Sequence, residues 1–138
     1  MVDQEIFSRR LDALADYLKK IKAFRKTSRE EFVAQPAIHD LAERYLHLAV
    51  ECVLDLSNHF LASESIGTPD TYKYSFFMLS EAGRMSSDMA AKLASWAGFR
   101  NILVHEYLAI DHGLAWDAIQ KDLADLEAFH RWAVEKLS

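Results

Sequence analysis

The stretch from Pro36 to about Ala62 constrains the fold more than any other part of the chain. After its first residue it contains no glycine and no proline, and its apolar residues recur every three or four positions. This spacing places them along an α-helix, and proline is favoured at the first helical position. Two apolar rows, one with Leu41 and Leu48 and one with Leu46 and Val50, indicate neighbours on two sides. We therefore predict a long central helix.

The same periodicity predicts further helices on both sides of the central one. Only four glycines and two prolines interrupt 138 residues, of which 51% are hydrophobic, as in a compact helix-rich domain. We predict an all-α fold, an up-and-down bundle of four to five helices in a single domain over residues 1–138. The predicted helices cover residues 3–24, 36–62 and 72–82, the last of them capped by Asp70 or Thr71 and ended by Gly83 in a left-handed cap. A further helix, capped by Ser86 or Ser87, carries Arg100 near its C-terminal part, and the last helix is capped by Asp111 and has Leu114 in its core stripe. A short helical turn follows Ser28.

Charge argues against general binding of nucleic acid. The formal net charge is −5, whereas nonspecific affinity for RNA or DNA comes mostly from neutralising phosphates. A basic strip nevertheless runs from 19 to 29 without an acidic residue. We interpret this strip as a solvated helix face, with guidance of a polyanion as the alternative.

The remaining composition bears on the compartment and on metals. The N-terminal ten residues carry charges where a secretory signal needs an apolar run, and no stretch has 18 uncharged apolar residues. We expect a cytoplasmic protein that does not span a membrane. Cys52 is the only cysteine, so an internal disulfide or a cysteine-based zinc site cannot form. The histidine spacings suit no metal cage, and we expect neither a metal nor a cofactor.

Residues suited to phosphate chemistry crowd together in FRNILVHEY, residues 99–107. Arg100, His105 and Tyr107 form the pattern R-x4-H-x-Y, with Asn101 inside it. At about 100° per residue, Arg100 and Tyr107 share a helix face, whereas Arg100 and His105 lie about 140° apart. Either the helix ends or distorts between Gly98 and His105, or a second copy of the chain completes the site. We favour a two-fold dimer that places two copies of the motif around one cleft.

These side chains suit metal-free cleavage of RNA. Histidine can accept and return a proton near neutral pH, and arginine matches a phosphate with parallel donors. A base would remove the proton of the ribose 2′-hydroxyl, an acid would protonate the leaving 5′-oxygen, and Arg100 would stabilise the phosphorane. By spacing alone the pattern is weak, because a histidine near a helix end is commonly structural and a tyrosine commonly belongs to the core.

Glu51 and Asp55 share a face of the central helix and could orient Arg100 or His105. We interpret them as an exposed acidic pair and leave them out of the candidate site.

The sequence of residues 99–107 resembles the RN-x-LVH-x-Y signature of the HepT-like proteins, a branch of the HEPN superfamily. The resemblance extends to residues 49–62 (AVECVLDLSNHFLA), 69–74 (PDTYKY) and 80–83 (SEAG), and to Ile110 and Asp111 after the motif. It spans most of the chain after residue 36. The N-terminal third matches nothing diagnostic, so the basic strip stays unassigned.

The resemblance implies a homodimeric helical bundle that acts as a metal-independent endoribonuclease toxin. It further implies a partner, a small MntA-like nucleotidyltransferase antitoxin. Arg100 and His105 take the catalytic roles, Asn101 supports the cleft, and Tyr107 is the position that the antitoxin modifies with AMP. AMP on Tyr107 would place negative charge where the RNA phosphate must sit.

Two other functions compete with this one. The chain could be a non-catalytic helical module that binds a nucleotidyltransferase and helps it to hold a substrate. It could also be a general RNA-binding bundle, in which affinity would depend on the basic strip and not on Arg100.

Overall fold

The helices follow the apolar periodicity of the sequence closely. The computed structural model describes residues 3–137. Within that range lie α1 (Gln4–Lys22), α2 (Arg29–Ala34), α3 (Pro36–Ser63), α4 (Tyr72–Glu81), α5 (Ser87–His105), α6 (His112–Lys121) and α7 (Leu123–Leu137), with 3-10 turns at Ala23–Lys26 and Tyr107–Ala109. No strand occurs among these residues, so the all-α prediction is confirmed, with more helices than the four to five expected.

Side-chain caps set where most helices begin. Each cap accepts a hydrogen bond from a backbone N–H in the first turn, which would otherwise have no partner within the helix. The capping residues are Asp3, Ser28, Thr71, Ser86 and Asp111. Where the sequence left two candidates, Asp70 or Thr71 and Ser86 or Ser87, the structure uses Thr71 and Ser86.

Gly83 ends α4 in the left-handed conformation, as its position predicts. Its φ is +72°, its N–H donates to the carbonyl of Ser80, and the N–H of Arg84 donates to the carbonyl of Leu79. This pair of bonds is the Schellman arrangement, in which a residue with a Cβ would be strained. The turn directs the chain back toward α5, which packs against α4.

The central helix is α3, whose 28 residues extend over about 42 Å at 1.5 Å per residue. It contacts α1, α2, α4, α5 and α7. Of its two apolar rows, the one through Leu46 and Val50 is fully buried. The other row is buried only in part, and Leu41 is exposed. The side chains of α3 therefore form the middle of the core.

The C-terminal region differs from the single helix predicted from Asp111. Asp122 interrupts it, with φ −110° and ψ −3°, and separates α6 from α7. The break lets α6 pack on α2 while α7 packs on α1, two neighbours that one straight helix does not reach. As a result Leu114, predicted to be in the core, is 60% exposed, and Ala115 and Ile119 are buried instead.

Over residues 3–137, none of the helices combines the length and the apolar character that crossing a membrane requires.

Candidate functional site

Helix α5 carries Arg100, Asn101 and His105 and remains regular through Gly98 to its end at His105. The helical distortion considered above therefore does not occur, and the angular separation of Arg100 from His105 holds in the structure. Arg100 points into the protein and is 9% exposed, whereas His105 is the last residue of the helix and is exposed. One chain thus presents the two groups in different environments.

Three neighbours hold the guanidinium of Arg100. Its Nε donates to Oε1 of Glu51 on α3, and one terminal nitrogen, Nη1, donates to Oδ1 of Asn101 at 3.2 Å. The Cζ atom lies 4.8 Å from the ring centroid of Tyr72, within the range of a cation–π contact. A charged group this buried needs a partner, and the carboxylate of Glu51 supplies it.

Glu51 is the functional candidate that sequence reasoning missed. We interpreted it with Asp55 as an exposed acidic pair, but only Asp55 faces outward, where its carboxylate lies 3.5 Å from Nε of Arg10. A usable signal was present, because Glu51 directly follows the buried Ala49 and Val50 on α3. A carboxylate next to such a row needs a cationic partner.

The Glu51 carboxylate also contacts His47, one helical turn earlier, with Nε2 to Oε1 at 3.4 Å. Burial lowers the pKa of His47, and the nearby Arg44 and Arg100 lower it further, whereas Glu51 acts in the opposite direction. The imidazole of His47 is therefore uncharged at neutral pH, and it does not compete with Arg100 for the carboxylate of Glu51.

Tyr107 lies in the 3-10 turn that follows α5. Glu106 ends the helix with φ −126° and ψ 43°, and the N–H of Ala109 donates to the carbonyl of Glu106 at 2.8 Å. This turn leaves Tyr107 67% exposed and Leu108 91% exposed. Tyr107 is therefore not a core aromatic, and its side chain is accessible to a partner.

A cavity of about 690 Å³ opens beside the motif, between the end of α5, the start of α4 and α3. Asn101 and His105 both line it, together with Asn58, Asp70 and Tyr72. Arg100 is outside the lining but bonds to Asn101 and stacks on Tyr72, both of which are part of it. Residues of the motif therefore form one side of a cavity that is large enough for a nucleotide.

The Ribonuclease HepT-like family matches residues 14–131 of the chain. The chain belongs to the HepT-like family. The N-terminal part thus lies within the family match from residue 14 onward, although we found nothing diagnostic there.

Two curated relatives of this HepT-like chain are nucleases. A tRNA nuclease HepT from Aphanizomenon flos-aquae is 28% identical over 118 residues, 86% of this chain and 80% of that protein. An mRNA nuclease HepT from Shewanella oneidensis is 27% identical over 84 residues, 61% of this chain and 63% of the relative.

Among solved structures, a tri-AMPylated HEPN toxin from Shewanella oneidensis, in complex with the MNT antitoxin, superimposes with a TM-score of 0.86. It is 21% identical, and the match covers 99% of each chain. At that identity the likeness establishes the fold, which is the HEPN fold.

The basic strip of this HepT-like chain is largely tied into its own structure. Lys20 lies 3.0 Å from Asp16, Lys22 lies 3.7 Å from Glu127, and Nε of Arg25 donates to the carbonyl of Ile119 at 3.1 Å. These contacts favour the interpretation of the strip as a helix face with structural partners.

A second cluster of titratable groups joins α3 to α6, away from the motif. The rings of His39 and His112 stack with their centroids 3.6 Å apart, and Nδ1 of His112 lies 2.6 Å from Oε2 of Glu43. Nδ1 of His39 lies 2.9 Å from the carbonyl of Phe32 on α2. Burial raises the pKa of Glu43, opposed by His112 and His39. The cluster holds the start of α6 against α2 and α3.

Proposed function

We propose that this HepT-like chain is a metal-independent endoribonuclease, the toxin of a toxin–antitoxin pair, in which Arg100 and His105 act on the RNA and Asn101 supports the cleft. We expect it to act in the cytoplasm. One observation carries the proposal: a guanidinium fixed by Glu51 and Asn101 contacts Asn101 and Tyr72, which line the same cavity as His105. Fixed donors stabilise developing charge better than mobile ones.

The hydrogen bonds of Arg100 do not use all of its donors. Nε and Nη1 have partners, whereas Nη2 has none among the described residues. Nη2 can therefore donate to a phosphate oxygen without loss of an existing bond. Asn101 keeps both N–H donors of its amide as well: its Oδ1 accepts from an arginine, which only donates, so its Nδ2 is turned toward other groups.

His105 supplies the proton transfers. As base, one imidazole takes the proton of the ribose 2′-hydroxyl, whose oxygen then attacks the adjacent phosphorus. The bond from phosphorus to the 5′-oxygen breaks, and a second imidazole gives that oxygen a proton, which leaves a 2′,3′-cyclic phosphate and a 5′-hydroxyl. Only RNA has the attacking hydroxyl.

A homodimer would provide the second imidazole. Each chain has one motif histidine, and next to it the exposed Leu108 offers apolar surface that a monomer would leave in water. A two-fold axis at this surface would bring a second His105 toward the first cleft.

Silencing would occur at Tyr107 through transfer of AMP by an MntA-like nucleotidyltransferase antitoxin. The side chain is exposed, two residues from His105, and needs no unfolding to be reached. The added phosphate carries negative charge, which competes with the RNA for Arg100. The antitoxin complex of the Shewanella toxin, which is tri-AMPylated, supports this assignment by analogy.

The test is cleavage of a mixed RNA in the presence of a chelator. We expect the wild type to cut, and His105→Ala to lose about 10²–10⁴-fold in rate. Lys121→Ala, at an exposed position on the end of another helix, serves as the control and should cut like the wild type. Equal cleavage by wild type and His105→Ala, or no cleavage by unmodified wild type, would overturn the proposal and favour the non-catalytic module.

A further inference from the structure

The cavity beside the motif has a lining unsuited to phosphate. Asp70 and Glu106 contribute carboxylates, and no lysine or arginine is among the described residues that line it. Two carboxylates repel a phosphate. The backbone N–H of Tyr74, in the first turn of α4, is not free for a phosphate either, because it already donates to the hydroxyl of Thr71. The cavity therefore suits an uncharged part of the RNA, whose phosphate lies at Arg100.

Its lining offers an aromatic ring and polar side chains, the groups that bind a nucleobase. Tyr72 provides an aromatic surface, and its ring is held from one side by the guanidinium of Arg100. Bases of single-stranded RNA are bound by stacking on aromatic rings and by hydrogen bonds to their edges. A volume of about 690 Å³ accommodates a purine with its ribose.

The hydrogen-bonding groups differ in what they offer to a base. Oδ1 of Asn58 accepts from the hydroxyl of Ser75 at 2.8 Å, which leaves Nδ2 of Asn58 as a donor. The carboxylate of Asp70 makes no hydrogen bond or ion pair with another described residue, and it accepts only. Asp70 precedes the cap of α4, so the helix does not need it.

We infer that this cavity binds a guanine base of the RNA, that Asp70 selects it, and that Asn58 and Tyr72 assist. This inference rests on the proposed ribonuclease function. Guanine alone presents two adjacent N–H donors on one edge, N1–H and N2–H, beside an acceptor, O6. The carboxylate of Asp70 accepts both donors, Nδ2 of Asn58 donates to O6, and the base stacks on Tyr72. Adenine and cytosine would turn a ring-nitrogen lone pair toward the carboxylate.

The test uses short RNAs that are identical except for one position, where each of the four bases is placed in turn. Wild type should cut next to guanine with a kcat/KM about 10- to 100-fold above the others, the discrimination of a two-point contact to a base. Asp70→Asn should lose that preference, because its kcat/KM on the guanine RNA should fall about 10- to 100-fold, to the level of the other three. Asp12→Asn removes an equal charge from the exposed face of α1 and should keep the preference. Equal cutting at all four bases by wild type, or an equal loss on all four RNAs in Asp70→Asn, would overturn the inference and leave the proposed function intact.

Binding measured with the His105→Ala protein separates this inference from catalysis. The probes are the four nucleoside 3′-monophosphates, titrated by calorimetry. We expect 3′-GMP to bind about 10-fold or more tightly than the other three, and Asp70→Asn to abolish the difference. Equal binding of all four, or tightest binding of 3′-AMP, would contradict a guanine site even if the protein cleaves RNA.

Discussion

Nε of Arg100 on α5 donates to Oε1 of Glu51 on α3, 49 residues earlier in the chain. The contact joins the motif helix to the central helix at the level of the cavity. It also makes the orientation of the guanidinium a property of the core, because α3 contacts all six other described helices.

Replacement of Glu51 by glutamine tests this contact. The amide keeps the shape but removes the charge, so a nearly buried guanidinium loses its ionic partner. We expect the free energy of unfolding to fall by roughly 1–3 kcal/mol, and RNA cleavage to fall by on the order of 10²-fold through misplacement of Arg100. Denaturant unfolding and kcat/KM measure the two effects.

Glu5→Gln is the matched control for that variant. Its carboxylate pairs with Arg9 on the surface, with both side chains about three-quarters exposed, so its loss should change stability by less than about 0.5 kcal/mol. If Glu51→Gln behaved like Glu5→Gln in both measurements, Arg100 would not depend on Glu51.

Two glycines should respond to alanine in opposite directions. At Gly83, φ is +72°, and a Cβ there is strained although nothing lies within 4 Å, so Gly83→Ala should destabilise the protein by about 1–2 kcal/mol. At Gly98, inside α5, a Cβ meets only the flexible end of Lys73 at 3.2 Å. Gly98→Ala should therefore stabilise by up to about 1 kcal/mol. Thermal unfolding distinguishes the two, and a shift of the same sign for both would refute the argument.

Glu43 should give a pH-dependent contribution to stability. Burial is the largest influence on it and raises its pKa above 4.5, opposed by His112 and His39 and aided by Asp40. A carboxyl group whose pKa is higher in the folded than in the unfolded protein stabilises the fold at pH values below its unfolded pKa. This stabilisation is lost as the pH rises through the folded pKa. The stability of Glu43→Gln relative to wild type should therefore increase from pH 4.5 upward and then level off.

The measurement for Glu43 is denaturant unfolding of both proteins across pH 4 to 8, an interval of about four units that includes the ordinary pKa values of glutamate and histidine. Glu81→Gln, an exposed residue at the end of α4, accounts for the general effect of removing one charge. A difference that stayed constant or shrank with rising pH would show that burial does not dominate at Glu43.

Tyr107→Phe should abolish AMP attachment and preserve cleavage. After co-expression with a cognate nucleotidyltransferase, the intact mass of the wild type should increase by whole AMP units, because the hydroxyl of Tyr107 is exposed. Tyr74→Phe, which removes another exposed hydroxyl, should still be modified. AMP retained on Tyr107→Phe would place the modification elsewhere.

Much of the fold was predictable because helices follow local rules. The caps at Ser28 and Asp111 and the left-handed Gly83 follow from residue type and spacing alone. The break at Asp122 was missed, because apolar residues keep helical spacing on both sides of it. Only the packing of α6 on α2 and of α7 on α1 shows that the two segments must run in different directions.

The site divides in the same way. The motif makes Arg100 and His105 candidates, and the helical wheel separates them as the structure does. The wheel does not show which helix faces which, so Glu51 was assigned to solvent although it holds Arg100. Asp70 carried no signal at all, because a loop aspartate before a helix is ordinarily a turn residue.

The uninterrupted course of α3 restricts how such a site can change. Glu51 and Asn58 are seven residues apart, two turns and about 10.5 Å along the same face. Insertion or deletion of one residue between them would rotate one relative to the other by about 100°. Glu51 could then no longer hold Arg100 while Asn58 lines the cavity. We therefore expect length to vary in loops such as 64–71, and the central helix to diverge by exchange of side chains.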